Sequence, residues 1–241
     1  PKPLSLYVHI PFCSSICYYC ACNKVITKRK ERAEPYLQDL YREIELQSTL
    51  FDHDREVRQL HWGGGTPGFL SRLQTQQLME QISDHFSLGG KGDSDYSIEL
   101  DPRVVEAGDI AHLRQLGFNR ISLGVQDLDE KVQIAVNRVQ SLEATRTVID
   151  DARLHGFRSI NLDLIYGLPH QTLQSFSNTL RHIIDLAPDR IALYNYAHLP
   201  HRFPPQRRIK GEDLPGSAAK LDILHSAIDQ LSAAGFDYIG M

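Results

Sequence analysis

Leu4, Leu6, Val8 and Ile10 alternate with Ser5, Tyr7 and His9, and the same rhythm returns along the chain. Ile98 and Leu100 alternate with Ser97, Glu99 and Asp101; Ile121, Leu123 and Val125 with Ser122, Gly124 and Gln126; Ile160, Leu162 and Leu164 with Asn161 and Asp163. Successive strand residues face opposite sides, so each run reads as a strand with one apolar and one polar face. The pattern predicts strands over residues 4–10, 57–62, 96–100, 119–125, 159–165 and 189–196. A helix is expected after each. Residues 33–50 place Leu37, Leu40, Tyr41 and Ile44 on one face; Leu173, Phe176, Leu180, Ile183 and Ile184 form a second stripe, and Leu221, Leu224, Ile228 and Leu231 a third. Gly117, Gly156 and Gly235 each fall between a helix and an aromatic residue, where a C-terminal cap belongs. Residues 236–241 read as the entry to one more strand.

Strands alternating with helices predict an α/β fold with a parallel sheet, and about six such units suit a partial or open TIM-like barrel. Parallel strands covered on both faces usually read as continuous apolar runs. These do not, so the polar phase is expected to line a hollow suited to a polar ligand. An antiparallel sheet with one wet face is the alternative.

Composition adds boundaries. The 241 residues are 41% hydrophobic and 23% charged, ample for a core in a globular domain. The formal net charge of −4 argues against a general nucleic-acid binder, whose affinity rests on neutralising phosphates. The basic run Lys28-Arg29-Lys30-Glu31-Arg32 is expected to be solvated. No apolar run reaches the roughly 20 residues of a membrane helix, and no charged-then-apolar leader is visible. The chain opens on Pro1 at the edge of a strand-like run, and a fragment of a longer protein is expected.

All four cysteines, Cys13, Cys17, Cys20 and Cys22, fall within ten residues in the loop after the first strand. Disulfides among such neighbours would close tiny loops and stabilise little. The spacing C-x3-C-x2-C-x-C reads instead as metal ligation in a reducing compartment, hence the cytoplasm. Three closely spaced thiolates can hold three irons of a four-iron four-sulfur cluster and leave one iron open. A zinc site using all four cysteines, in a binding module without catalysis, is the alternative. Gly63, Gly64 and Gly65 would let backbone approach a ligand, or would equally serve a tight strand-end turn. Glu99, Gln126 and Asp163 stand in the polar phase near strand ends. Arg138 by itself reads as an exposed helical arginine.

Tyr7-Val-His-Ile-Pro-Phe-Cys13, continuing through Cys17 and Tyr19-Cys20-Ala-Cys22-Asn23-Lys24, resembles the coproporphyrinogen oxidase branch of the radical S-adenosylmethionine (SAM) superfamily. The resemblance runs on through His61-Trp-Gly-Gly-Gly-Thr-Pro67, Ile98-Glu-Leu-Asp-Pro102, Gly124-Val-Gln-Asp127, Val136-Asn-Arg138, Asn161-Leu-Asp-Leu-Ile-Tyr-Gly-Leu-Pro169 and Asn195-Tyr-Ala-His-Leu-Pro200, essentially the whole chain. It implies that Cys13, Cys17 and Cys20 bind one [4Fe–4S] cluster. Cys22 would be needed for activity without binding the cluster, and with Tyr7 is a candidate catalytic residue. Tyr7 and Tyr19 would lie beside the SAM bound at the cluster, Gly63, Gly64, Gly65 and Thr66 would meet its methionine end, and Glu99 its ribose. Gln126, Arg138, Asp163 and Ala197 would contact a second SAM. The implied reaction is the oxidative decarboxylation of two propionates of coproporphyrinogen III to vinyl groups, with an electron donor and acceptor that the sequence does not identify. No flavin or nicotinamide motif is present to fill that role.

A monomeric protein is expected, and the resemblance further implies residues 1–241 as its catalytic barrel, lacking an N-terminal arm and a helical C-terminal domain. Such a piece alone is expected to bind the cluster but show weak or no oxidase activity. A haem chaperone of the same superfamily is the rival reading, which Cys22 disfavours. Arg207, Arg208 and Lys210, in a Pro-rich loop after the sixth strand, are candidates to meet the substrate's carboxylates, or form a solvated basic loop.

Overall fold

The structure is a computed structural model describing residues 2–52, 54–90 and 93–240. Pro1 and Met241, on which two expectations about the chain ends fall, lie outside the described residues. The larger strands are β1 (Leu4–Ile10), β4 (Glu56–Gly64), β6 (Asp95–Leu100), β7 (Arg120–Gln126), β8 (Ser159–Tyr166) and β9 (Arg190–Asn195); β2 (Phe12–Cys13), β3 (Val25–Ile26) and β5 (Ser87–Leu88) are two-residue pieces. The helices are α1 (Ala33–Ser48), α2 (Arg72–His85), α3 (Asp109–Gln115), α4 (Glu130–Ala135), α5 (Leu142–Leu154), α6 (Leu173–Asp185) and α7 (Ser217–Ala233). The hydrogen-bonded strand order is β1-β4-β6-β7-β8-β9, with β5 beside β4. The pairs β1–β4, β4–β6 and β8–β9 are parallel, which removes the antiparallel alternative for these strands.

The chain divides into two compact units. The first comprises residues 1–15, 22–122 and 151–158; the second comprises 16–21, 123–150 and 159–241. In the first, Leu4, Val8 and Ile10 of β1, Val57, Leu60 and Trp62 of β4 and Ile98 and Leu100 of β6 are buried together with Leu37 and Ile44 of α1 and Leu78 and Ile82 of α2. Trp62, fully buried, meets the edge of Phe118 with ring centroids 5.1 Å apart. The polar phase stays half-open: Ser97 and Glu99 alternate with buried Ile98 and Leu100. In the second unit, Val132, Val136, Leu168, Tyr196 and Ile209 form a core on which Tyr18 and Tyr19 also pack.

Gly117, Gly156 and Gly235 all adopt positive φ, at 103°, 72° and 91°, as a helix C-terminal cap requires. After each, the aromatic N–H donates back into the helix it follows, Phe118 to Leu113, Phe157 to Ala152 and Phe236 to Leu231. Residues 236–240 form no strand, contrary to the expected strand entry. Two apolar stripes also need correction. Leu173 opens α6 exposed while Phe176, Leu180 and Ile183 are buried. In α7 the buried residues are Ile223 and Ala227, and Leu221 is 55% exposed. The α7 sequence is apolar at so many positions that spacing alone does not choose a face. In the basic run Lys30 is not simply solvated: its ammonium lies 4.5 Å from the Phe69 ring centroid and donates to the Phe69 carbonyl.

Asp127, directly after β7, is buried and accepts from Thr179 Oγ1 at 2.6 Å, Gln171 Nε2 at 2.5 Å and the Asp129 N–H at 2.9 Å. Burial raises its carboxyl above the ordinary value of 3.8, although these donors oppose the shift. A raised native value means the native state holds the proton more tightly, so this group's stabilisation is full below about pH 3.8 and is lost as pH climbs through the native value. The stability of the wild-type chain minus that of Asp127→Asn is therefore expected to fall between pH 4 and 7. Urea melts of both chains at the two pH values check it; a rising difference would refute the assignment.

Candidate active site

The first unit assembles its polar residues by register. Parallel pairing places Tyr7 opposite His61, and His61 opposite Ser97. Two residues further along each strand, His9 faces Gly63. Side chains at one register level on one face lie within reach of each other, and the contacts follow. The Tyr7 ring stacks on the His61 imidazole, centroids 5.7 Å apart and planes inclined 22°. His61 Nδ1 lies 2.6 Å from Ser97 Oγ, and Nε2 lies 3.0 Å from Glu99 Oε1. Glu99 Oε2 accepts the Gly64 N–H at 3.3 Å. The Tyr7 hydroxyl is 3.0 Å from His9 Nδ1, whose other nitrogen is 2.9 Å from the Asn23 carbonyl, just beyond Cys22. Partial burial, then the charges of Glu99 and Cys22, push the Tyr7 phenol upward.

The three glycines have specific causes. A Cβ on Gly63 would lie 2.9 Å from the Glu99 carboxyl; on Gly64, at φ 117°, 2.8 Å from the His9 ring; on Gly65, 2.7 Å from backbone atoms of Pro11 and Phe12. The space left by each missing side chain is filled from within the protein. Gly65 N donates to Ile10 at 2.8 Å and Thr66 N to Phe12 at 2.9 Å, so the loop is stitched to the start of the cysteine segment. Cys13 ends β2, half-buried, and Cys22 is exposed.

The second unit holds Cys17 and Cys20 on one turn, where Cys20 N donates to the Cys17 carbonyl at 3.2 Å. Segments after α4 and β9 clamp this turn. Asn137 Nδ2 donates to Ile16 at 2.7 Å, Tyr18 N to Val136 at 2.9 Å, and Gln206 Nε2 to the Tyr19 carbonyl at 2.9 Å. Arg138, 6% exposed, lies past the end of α4 with Nη1 3.7 Å from Cys17 Sγ and Nη2 donating to Gly124 at 2.5 Å. The exposed helical reading of Arg138 is thereby overturned. Gln126 closes β7 with φ at 70°, rare for a residue with a side chain. A Cβ on Gly124 would meet Gln126 Nε2 at 2.9 Å and Arg138 Nη2 at 3.0 Å. Burial raises the Tyr19 phenol well above 10, with Arg138 opposing and Cys17 and Cys20 adding to it. Asp163 accepts from Asn161 at 2.8 Å. The Ala197 carbonyl accepts from Gln206 Nε2 at 3.2 Å.

Within the first unit, then, Tyr7, Gly63, Gly64 and Glu99 come together; within the second, Cys17, Cys20, Tyr19 and Arg138 do, with Gln126 beside Arg138. His61, Ser97 and Gln206 join these clusters without having been assigned a site role from the sequence. Gln206 is buried in a Pro-rich loop with no local signal of its role, and the partners of His61, which opens the glycine-rich motif, become visible only through strand register. Of the three basic candidates, Arg208 stacks 5.0 Å from the Tyr18 ring centroid in the cysteine turn, Arg207 donates to Pro200, and Lys210 pairs with Glu212 on the surface.

The residues suit an iron–sulfur cluster and SAM on three counts. The four cysteines lie within ten residues of sequence, Cys17 buried, Cys13 and Cys20 half-buried and Cys22 exposed. Thr66 Oγ1 and Gln126 Oε1 are buried polar atoms with no hydrogen-bond partner, as groups awaiting a ligand would be. Glu99 is secured on one side and 43% exposed on the other. Among the described residues no three His, Cys, Asp or Glu side chains are gathered closely enough to hold a metal ion, and no helix is long and apolar enough to cross a membrane.

Comparison with known proteins bears on these observations. The oxygen-independent coproporphyrinogen III oxidase of Pseudomonas aeruginosa is 57% identical over 239 residues, covering 99% of this chain and 52% of the relative. That of Escherichia coli is 49% identical over 240 residues, again covering 52% of the relative. The solved structure of the Escherichia coli coproporphyrinogen III oxidase, a radical SAM enzyme, superposes with a TM-score of 0.96 over 99% of this chain and 54% of that one. The α/β, partial TIM-like arrangement expected from the sequence is shared with it. A methylornithine synthase shares the fold at 13% identity with a TM-score of 0.59 over 97% of this chain and 62% of that one. The chain spans about half the length of the curated relatives it matches. Residues 7–183 match the radical SAM superfamily, and the chain belongs to that family.

Proposed function

We propose that this chain carries the radical chemistry of an oxygen-independent coproporphyrinogen III oxidase, converting two propionate arms of coproporphyrinogen III to vinyl groups. Cys13, Cys17 and Cys20 would hold a four-iron four-sulfur cluster whose open iron takes SAM. Tyr7, Tyr19, Gly63 to Gly65, Thr66 and Glu99 would receive that SAM, and Gln126, Arg138, Asp163 and Ala197 a second one. When bound, the cluster and SAM supply a carbon radical able to remove hydrogen from an unactivated carbon. Each arm loses carbon dioxide, one hydrogen atom and one electron, so an external donor and acceptor are needed.

The observation that carries this reading is the Glu99 carboxylate. It is fixed by His61 and the Gly64 N–H, and its open side can accept ribose hydroxyls. Near the cysteine turn, Arg208 is proposed to meet a substrate carboxylate. Arg208→Ala is expected to weaken coproporphyrinogen affinity several-fold, the loss of one charge-assisted contact, with Lys210→Ala unchanged. Equal titrations of the two variants would remove Arg208 from the site.

A cytoplasmic, monomeric protein acting neither on nucleic acid nor at a membrane fits the close spacing of the cysteines and the net charge of −4, with residues 1–241 serving as one catalytic domain. The direct test is anaerobic cluster reconstitution followed by reduction with SAM present. Methionine and 5′-deoxyadenosine are the expected products, and vinyl products are expected from coproporphyrinogen III in the full-length protein. A reconstituted protein that cleaves no SAM would end the proposal. Tight haem binding without turnover would favour the chaperone reading.

A further inference from the structure

His61 stands at the centre of the polar row that runs from Tyr7 through Ser97 across three parallel strands. Its two ring nitrogens are both engaged, Nδ1 at 2.6 Å from Ser97 Oγ and Nε2 at 3.0 Å from Glu99 Oε1. An ionised carboxylate can only accept, so the proton on this side belongs to Nε2. The Ser97 hydroxyl can donate to Nδ1 of a neutral ring or accept from it in a charged one, and Nε2 donates to Glu99 in both cases. The other Glu99 oxygen accepts from the Gly64 N–H, further along the same strand as His61. Two donors three residues apart on β4 set both the plane of the carboxylate and the direction of its remaining lone pairs. The Tyr7 ring covers the imidazole face and limits its rotation. Gly63 completes the arrangement, since a Cβ there would push into the carboxylate.

We propose that His61 is a positioning residue for the cofactor's sugar, holding the Glu99 carboxylate in the orientation that accepts the ribose hydroxyls. Ser97 anchors the imidazole from behind. The inference rests on Glu99 being the ribose ligand, as proposed above. A purely structural role for His61 predicts something different. The side chain is 36% exposed, so its loss should change stability little and affect ligand binding only through Glu99.

The test is calorimetric binding of SAM to the anaerobically reconstituted chain, with steady-state SAM cleavage alongside. His61→Leu is expected to weaken binding about tenfold, the scale of one lost hydrogen bond to a charged group, and to raise KM by the same factor with kcat little changed. His61→Gln, whose amide can donate at similar reach, should recover most of the loss. In a Glu99→Ala background, His61→Leu should add less than about twofold, because its partner is already gone. Wild-type affinity in His61→Leu, no recovery in His61→Gln, or a full additional loss in the double variant would each overturn the inference. If Glu99→Ala itself binds SAM normally, the ribose assignment fails and the His61 proposal with it. If Glu99→Ala is weak and His61→Leu is not, only the His61 proposal fails. Should His61→Leu not fold, Ser97→Ala reads the same coupling: weaker binding alone and no further loss beside Glu99→Ala are expected, and independent losses would overturn it.

Discussion

Gly65→Ala is expected to lose about 3 kcal/mol of stability, toward the upper end for a single overpacking change. The new Cβ would sit 2.7 Å from the Pro11 carbonyl and from the Phe12 carbonyl oxygen, closer than Cβ contacts occur. These are backbone atoms at the corner between β1 and β2, and they cannot rotate aside as a side chain would. The corner is also held by Gly65 N to Ile10 at 2.8 Å and Thr66 N to Phe12 at 2.9 Å, so relief means breaking one or both bonds. Gly63→Ala makes an instructive contrast. Its Cβ meets the Glu99 carboxyl at 2.9 Å, which is the far end of a flexible side chain. That variant should keep its stability within about 1 kcal/mol while losing affinity for SAM, because Glu99 has to swing away. Urea melts of the two variants beside the wild type decide the matter. Equal midpoints for Gly65→Ala and wild type would show that the corner is softer than its contacts imply.

Cys17→Ala should remove the cluster while leaving the chain folded. Cys17 is the buried member of the four cysteines, on the turn clamped by Asn137, Gln206 and Val136, with Arg138 against its sulfur. Loss of one of three thiolates leaves a cubane cluster too few ligands to be retained. Iron after reconstitution should drop from about four per chain to below about one, and methionine release from SAM should vanish with it. The alanine leaves out only one sulfur from a half-open turn, so the unfolding midpoint should move by less than the roughly 2–5 kcal/mol of a large core truncation. Iron and acid-labile sulfide analysis after anaerobic purification is the measurement. Full iron in the variant would eliminate Cys17 as a ligand, and zinc in place of iron in the wild type would favour the binding-module alternative.

Much of the fold was open to reading from residue order because two-residue alternation is a local property. The β1 boundaries match the predicted 4–10, and β8 differs from the predicted 159–165 by one residue at its end. The glycine caps were legible for the same reason: positive φ after a helix is a demand of the local backbone. The α7 face was not legible, since Leu221, Ile223, Leu224, Ala227 and Ile228 offer several apolar stripes, and only the packing partner selects Ile223 and Ala227.

For the site, the cysteine spacing and the polar strand phase could be seen in the chain itself, because ligand spacing and side-chain alternation need no knowledge of neighbours. The meaning of the three glycines could not. Ligand approach and a tight turn predict the same residues, and only the fold shows that Glu99, His9 and the Pro11–Phe12 backbone occupy the three spaces. The same holds for His61 and Gln206. Local sequence gives neither a role: His61 opens the glycine-rich motif without its partners being visible, yet parallel register sets it between Tyr7 and Ser97, and a loop far along the chain brings Gln206 to the carbonyl of Tyr19. The sequence by itself determined which chemistry the chain can carry, through thiols at fixed spacing. The tertiary structure decided which groups orient that chemistry, because contacts between residues distant in sequence exist only once strand register and loop closure are set.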